Sequence, residues 1–248
     1  LLICYIDQFK RNLKKYKMKK IFDLLFVSIF AIVGFVSCDS KKEDTTVAED
    51  NSGYSISTDV QDSIALLPNS KTLSVDIMEA LSARRTERAF SNDNLTNQQI
   101  SDLLWAANGV NRVEDGKRTA PSARNAQEID VYLFTSAAIY RYEASSHSLK
   151  LVKEGDYRTS AGTQPFYAAA SVAISLVVDF DKMEGFDDEA KAFYSATDVG
   201  YVSQNIYLYC AAKNLATVVC GSVDRELVAG LLGIKNGKVL LSHAIGTL

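Results

Sequence analysis

Apolar side chains recur at Ile100, Leu103, Leu104 and Ala107, the spacing of one helical face, and Asn94 or Thr96 stands where a cap is needed. The pattern predicts a helix over 96–107. Ile77 and Leu81 predict a shorter helix over 75–84. Residues 129–134 alternate as a strand does, while 138–144 and 148–153 flank the polar Ser145-Ser146-His147 and form a predicted hairpin. A short helix is expected over 164–170. Val172-Ala173-Ile174-Ser175-Leu176-Val177-Val178 is apolar on both faces, which suits the centre of a sheet. A long helix over 188–213 then leads to a buried strand at 216–220. Asp224 can cap a helix ending at Leu232, and a last strand over 238–245 follows the turn Asn236-Gly237. Helices and strands mix without regular alternation and nothing repeats, so the expected class is α+β.

The N-terminal stretch follows another pattern. Residues 1–17 are strongly basic and the first methionine is Met18, so this part is expected to be untranslated upstream sequence. Met18-Lys19-Lys20 opens a basic start, and the uncharged run from Leu24 to Ser37 is shorter than the roughly 20 residues a bilayer core requires. Basic start, short apolar middle and small residue make a secretory signal. With Cys38 directly after Ser37, residues 18–37 take the form of a bacterial lipoprotein signal. Cys38 would become the lipidated first residue, anchored in the cell envelope. A plain membrane anchor, or a cleaved signal with a chance cysteine, is the competing reading. Residues 38–72 are polar, with few apolar side chains to offset the entropy of ordering, and are expected to be a tether. The folded domain is then expected over 73–248, a size that suits one domain.

Charge narrows the function classes. Of 27 basic and 30 acidic side chains, residues 1–37 hold seven and two, which leaves an acidic body. Such a body has no general reason to bind nucleic acid. The cysteines at 4, 38, 210 and 220 form neither a disulfide framework nor a metal-ligand spacing. A dinucleotide glycine fingerprint, a phosphate loop and a paired-histidine zinc helix are all missing from the sequence. His147 and His243 are the only histidines, so a histidine-based metal site or catalytic triad is poorly supplied. His147 is expected to be exposed in its turn, and His243 packed and hydrogen-bonded in the last strand.

Against the acidic background, Arg84-Arg85-Thr86-Glu87-Arg88 stands out. Guanidinium groups keep their charge and can each donate two hydrogen bonds to phosphate oxygens. A solvated basic helix end that complements the macrodipole is the simpler alternative. A second cluster, Arg118-Thr119-Ala120-Pro121-Ser122-Ala123-Arg124-Asn125-Ala126-Gln127, is a small polar loop whose backbone could approach a flat ligand closely.

These two segments are followed by Asp198-Val199-Gly200 and Gln204-Asn205 on the long helix, by 215–221, and by His243-Ala244-Ile245-Gly246. Residues 104–112, Leu-Trp-Ala-Ala-Asn-Gly-Val-Asn-Arg, add a further segment of the same kind. The ordered set resembles the nitroreductase family of flavin enzymes from about residue 73 onward. The resemblance implies a central, mostly antiparallel sheet flanked by helices in an intertwined homodimer, with FMN bound at the subunit interface. It implies that Arg84, Arg85, Thr86 and Arg88 hold the ribityl phosphate and the pyrimidine side of the flavin. Pro121, Ser122, Ala123 and Asn125 would contact the ring from the other subunit, Cys220 and Gly221 would line its reactive edge, and Gln164 would supply an amide nearby. Family members continue past the last glycine with an aromatic residue, a proline and a basic residue, where this chain reads Thr247-Leu248.

The implied activity is FMN-dependent transfer of a hydride or electron pair from a reduced donor, such as NAD(P)H, to a small conjugated acceptor such as a nitroaromatic or quinone. No protein nucleophile is needed, because the flavin carries the chemistry. The expected envelope address sits uneasily with a cytosolic donor. It keeps open a non-catalytic flavin or ligand binder, and a ring dehydrogenase acting on peptides.

Overall fold

The structure, a computed structural model, describes residues 53–70 and 75–248. The expected upstream segment 1–17, the signal 18–37 and Cys38 lie outside the described residues. Seven strands form one sheet: β1 (Ser63–Ala65), β4 (Ile129–Phe134), β5 (Ala138–Glu143), β6 (Ser148–Glu154), β7 (Val172–Asp179), β8 (Leu215–Cys220) and β9 (Gly237–Thr247). Their spatial order is β1-β6-β5-β4-β7-β9-β8, antiparallel throughout. A separate ribbon pairs β2 (Val110–Arg112) with β3 (Lys117–Arg118). The helices are α1 (Ile77–Ala83), α2 (Asn97–Asn108), α3 (Asp188–Ala212) and α4 (Arg225–Leu232).

The pleat of β4 divides the core. Ile129, Val131 and Leu133 pack with Ile100, Leu103 and Leu104 of α2 and with Val199, Val202 and Ile206 of α3. Tyr132 and Phe134 point the other way, into a cluster with Val228 and Leu232 of α4. β7 is apolar on both faces because it feeds both clusters, with Ile174 and Leu176 on one side and Ala173 and Val177 on the other. Cutting a fully buried side chain such as Leu104 back to Ala would cost about 2–5 kcal/mol.

Local chemistry sets the helix ends. Thr96 accepts the Gln99 N–H while the Gln99 side chain accepts the Thr96 N–H, a capping box. Asp187 and Asp224 cap α3 and α4, and Gly233 closes α4 in the left-handed conformation. α1 starts after its cap Asp76 and stops at Ala83. Arg84 therefore lies beyond the helix rather than in it. The expected helix over 164–170 is a single 3-10 turn, Pro165–Ala168.

Two expectations are corrected. The polar stretch read as a tether is, over residues 53–70, part of the folded unit, which therefore begins well before residue 73. Ile56, Ile64 and Leu66 are buried in the core, and β1 extends the sheet by pairing with β6. Side chains of α2 satisfy this arm's backbone. Asn97 accepts the Ile56 N–H at 2.8 Å, Ser101 donates to the Leu67 carbonyl at 2.5 Å, and Asp102 accepts the Ser70 N–H at 2.7 Å and its hydroxyl at 2.6 Å.

His147 is the second correction. Its φ of 47° folds the half-buried ring back on the arm, with Nε2 2.9 Å from the Leu67 carbonyl and Nδ1 2.8 Å from the Tyr142 hydroxyl. Burial holds the ring's pKa below its ordinary value.

Candidate functional site

α1 releases the chain at Arg84, whose N–H makes the last helical bond, to the Ala80 carbonyl at 2.9 Å. The chain then runs extended along the free edge of β8, where the Glu87 N–H donates to the Thr217 carbonyl at 2.9 Å. Tyr207 of α3 fixes the middle of this segment. Its hydroxyl lies 2.9 Å from Thr86 Oγ1 and accepts the Val219 N–H at 3.1 Å. Its ring carries the Arg84 guanidinium, 5.3 Å from the centroid, and meets His243 edge-on at 5.3 Å.

His243 is fully buried between Ser203 (Nε2 to Oγ, 2.8 Å) and Thr217 (Nδ1 to Oγ1, 3.2 Å), as a packed, hydrogen-bonded histidine should be. Complete burial pushes its pKa down to about 3, so the ring is neutral. At the segment's far end the Ser91 N–H donates to the Thr247 carbonyl at 2.9 Å. Gly246 is required there, because a Cβ would sit 2.9 Å from the Phe90 ring.

The arginines themselves are only loosely engaged. Arg85 is largely exposed and its Nε is 3.6 Å from Glu87. Among the described residues neither Arg84 nor Arg88 has a carboxylate partner. The Glu87 carboxylate instead accepts the N–H groups of Ala89 and Arg88, which hold its pKa below the usual range. Cationic charge on this segment is thus free to meet an anion.

The same strand β8 leads directly to Cys220 and Gly221. Cys220 is buried, whereas Gly221 is exposed, and a Cβ there would meet nothing within 4 Å, so its backbone faces open space. Thr163 joins this end to the turn before Pro165, through its N–H to the Ser222 carbonyl (3.2 Å) and its hydroxyl to Ser222 Oγ (2.7 Å). Gln164, the next residue, holds its Oε1 buried with no partner among the described residues. Below it, the Tyr167 hydroxyl lies beside Ser242 and Cys220 in full burial, which raises its pKa.

The second cluster is built differently. Ser122 Oγ accepts the Gln127 N–H at 2.9 Å, and the Ala123 N–H donates to Oδ2 of Asp198 on α3 at 2.8 Å. Arg124, Asn125 and Gln127 take left-handed φ values of 52°, 58° and 52°. Arg118 donates to Gln127 Oε1 at 3.0 Å and to the Asn108 carbonyl at 2.9 Å. Arg124 lies over the Phe186 ring at 4.4 Å. Pro121 and Asn125 remain exposed at the tip, with Ser122 and Ala123 half-buried.

Within one chain the structure brings Arg84, Arg85, Thr86 and Arg88 onto the edge of the strand that ends in Cys220 and Gly221, with Gln164 beside that end. Pro121, Ser122, Ala123 and Asn125 form a separate group. The anchors of the two groups, Asp198 and Tyr207, are nine residues apart on α3, about 13 Å along its axis. Sequence reasoning missed Tyr207 and Glu128. Tyr207 lies three residues after Gln204 and so on a shared helical face. Glu128 directly precedes Ile129 at the start of β4, which also carries Asp130, so no local signal in the sequence marks it as buried.

The nitroreductase family profile matches residues 81–247. A Methanocaldococcus jannaschii protein named as a nitroreductase is 25% identical over 177 residues, covering 67% of this chain and 89% of that protein. A crystal structure of a protein from Ralstonia eutropha, also named as a nitroreductase, shares 34% identity with a TM-score of 0.72, over 75% of this chain and 90% of that one. NADPH:FMN oxidoreductase from Vibrio harveyi, solved with NAD+, has the same fold at 19% identity and a TM-score of 0.50, over 69% of this chain and 68% of that one.

Proposed function

The chain belongs to the nitroreductase family of oxidoreductases, and on that premise we propose that it works as a homodimer that binds FMN and uses NAD(P)H or another reduced donor. The observation that carries this reading is the unneutralised cationic segment on an acidic body, fixed along β8 beside the open backbone of Gly221. The donor set fits the group. Arg84 and Arg88 would hold the phosphate by charge-assisted hydrogen bonds, with Arg85 and Thr86 toward the pyrimidine side. The orphaned Gln164 Oε1 offers an acceptor to a ring N–H. Gly221 lets a flat ring approach the backbone. The exposed loop residues Pro121, Ser122, Ala123 and Asn125 would cover the ring of the partner's cofactor.

When bound, FMN supplies two-electron transfer between the donor and a small conjugated acceptor such as a nitroaromatic or quinone. The chain's own residues bind and orient it. Arg85, toward the pyrimidine edge, would favour the reduced, anionic form of the cofactor. Exposed apolar side chains on the helices, Ile77, Met78 and Leu81 of α1 and Phe193 and Tyr201 of α3, are suited to burial in the homodimer.

Purified protein titrated with FMN tests the reading. Stoichiometric binding and loss of flavin absorbance on adding NADH or NADPH are expected. Absence of any flavin binding would refute it. Lipidation of Cys38 in the cell envelope is a separate proposal, tested by labelling cells with an alkyne fatty acid. Label is expected on the full chain and absent from C38A.

A further inference from the structure

Glu128 lies between the loop 121–127 and β4, and it is fully buried. No N–H or O–H of the described residues reaches either of its carboxyl oxygens. Asp198, itself only 3% exposed, interacts with the Glu128 carboxyl from α3 and accepts the Ala123 N–H through Oδ2 at 2.8 Å. A buried carboxylate without a donor is costly, and two facing carboxylates cannot both stay charged. One proton between them resolves both problems, with the Glu128 O–H donating to Asp198 while Asp198 keeps its charge and still accepts from Ala123.

We infer that Glu128 and Asp198 share a single proton when the loop is closed, and that this pair is a latch positioning the loop 121–127 against α3. The loop needs one, because Arg124, Asn125 and Gln127 all sit in the left-handed region, which non-glycine residues adopt at a cost. Lys182 and the nearby dipole of Glu128's own backbone N–H, which makes no hydrogen bond to the carboxyl group, favour the ionised form, but Lys182 is engaged by Asp130 and by Asp179 at 3.8 Å. The Arg124 guanidinium is taken up by Phe186 and by the Gly185 carbonyl at 3.1 Å. Burial, first, and the Asp198 carboxyl therefore prevail, and Glu128 is pushed up to about 7.

Opening the loop returns Glu128 to water, where its pKa is 4.5. Between that value and about 7, opening releases one proton, so the open population should rise up to about tenfold per pH unit and level off above. The latch does not depend on a flavin. Its effect on a flavin rests on the proposed function, through the loop's place over the partner's cofactor.

Hydrogen exchange of peptides spanning 119–128 in the full chain, from about pH 5 to about pH 8 and corrected for intrinsic chemistry, tests the latch. The wild type should show ten- to hundredfold more opening at about pH 7 than at about pH 5. Its infrared spectrum should show a protonated-carboxyl band that titrates near neutral. E128Q, whose amide always donates to Asp198, should remove both the slope and the band. D198N, which removes the facing charge, should move both to lower pH. A wild-type loop indifferent to pH, or a slope and band unchanged in both variants, would overturn the latch. FMN affinity in the same samples separates the two ideas. A latch that titrates while wild-type FMN affinity stays flat would sink the loop's role over the cofactor and leave the latch standing.

Discussion

The two halves of the candidate site handle charge in opposite ways. On the segment around Arg84 and Arg88 the chain is pinned, through the Glu87 N–H to Thr217 and the Thr86 hydroxyl to Tyr207, while Arg84 and Arg88 have no carboxylate partner among the described residues. In the loop 121–127 the side chains are spent internally, on Ser122, Arg118 and Gln127, and the charge behind it is buried at Glu128 and Asp198. One half offers attraction to be satisfied by a ligand. The other offers shape, held in a strained backbone. The proposed anionic, flat cofactor would use both, and the proposed dimer would bring the loop of one chain to the charged segment of its partner.

Removing the free charge should have the largest effect. R84A/R88A deletes two charge-assisted contacts, each worth about 1.5–3 kcal/mol, so FMN affinity measured by fluorescence titration should fall by about a hundredfold or more. Because both side chains lack carboxylate partners, the melting temperature should barely change. Retained tight binding would remove the phosphate assignment.

The shape half should respond in stability instead. D198A leaves the Ala123 N–H and the Glu128 carboxyl without their partner, at a cost of about 2–4 kcal/mol in denaturant unfolding. Unfolding as a function of pH sharpens this. Glu128 has a raised folded value, so its contribution is complete below 4.5 and is lost as pH rises to about 7. His243 has a depressed folded value, so its contribution is lost as pH falls from 6.5 to about 3. The two slopes oppose each other between them. E128Q should remove one, making stability rise with pH more steeply than in wild type, by about 1.4 kcal/mol per unit between about pH 4.5 and 7. Identical slopes would mean that Glu128 is ionised in the folded protein.

Y207F should have the smallest effect of the set. It withdraws one hydroxyl from Thr86 and the Val219 N–H, for about 1 kcal/mol of stability, and loosens the cationic segment without altering its charge. FMN affinity should drop severalfold, well short of the arginine double variant. An equal drop would mean that position, not charge, dominates that half.

These differences explain what could be read in the sequence. The α2 face follows from periodicity, in Ile100 to Ala107, and β7 from the unbroken apolar run Val172 to Val178. The cationic segment stands out because charge on an acidic background is a local property. The arm over 53–70 does not, because Ile56, Ile64 and Leu66 are spaced among polar residues whose partners, Asn97, Ser101 and Asp102, sit on another element. His147 was hidden for the same reason: its turn is polar, but its ring is turned back onto Leu67 and Tyr142. Glu128 and Tyr207 matter through burial and contacts with distant segments of the same chain, which no spacing encodes.

The claim that each cofactor site joins the charge of one chain to the loop of its partner has a direct test in mixed dimers. One protomer would carry R84A/R88A, and the other A123P, which removes the N–H that Asp198 holds. At an FMN concentration that saturates the wild type but not a site weakened about a hundredfold, neither parent homodimer should bind appreciable FMN. If the sites are shared, both defects fall in one site and the mixed dimer binds one FMN per dimer. If each chain builds its own site, every site carries a defect and the mixed dimer binds none, which would contradict the account.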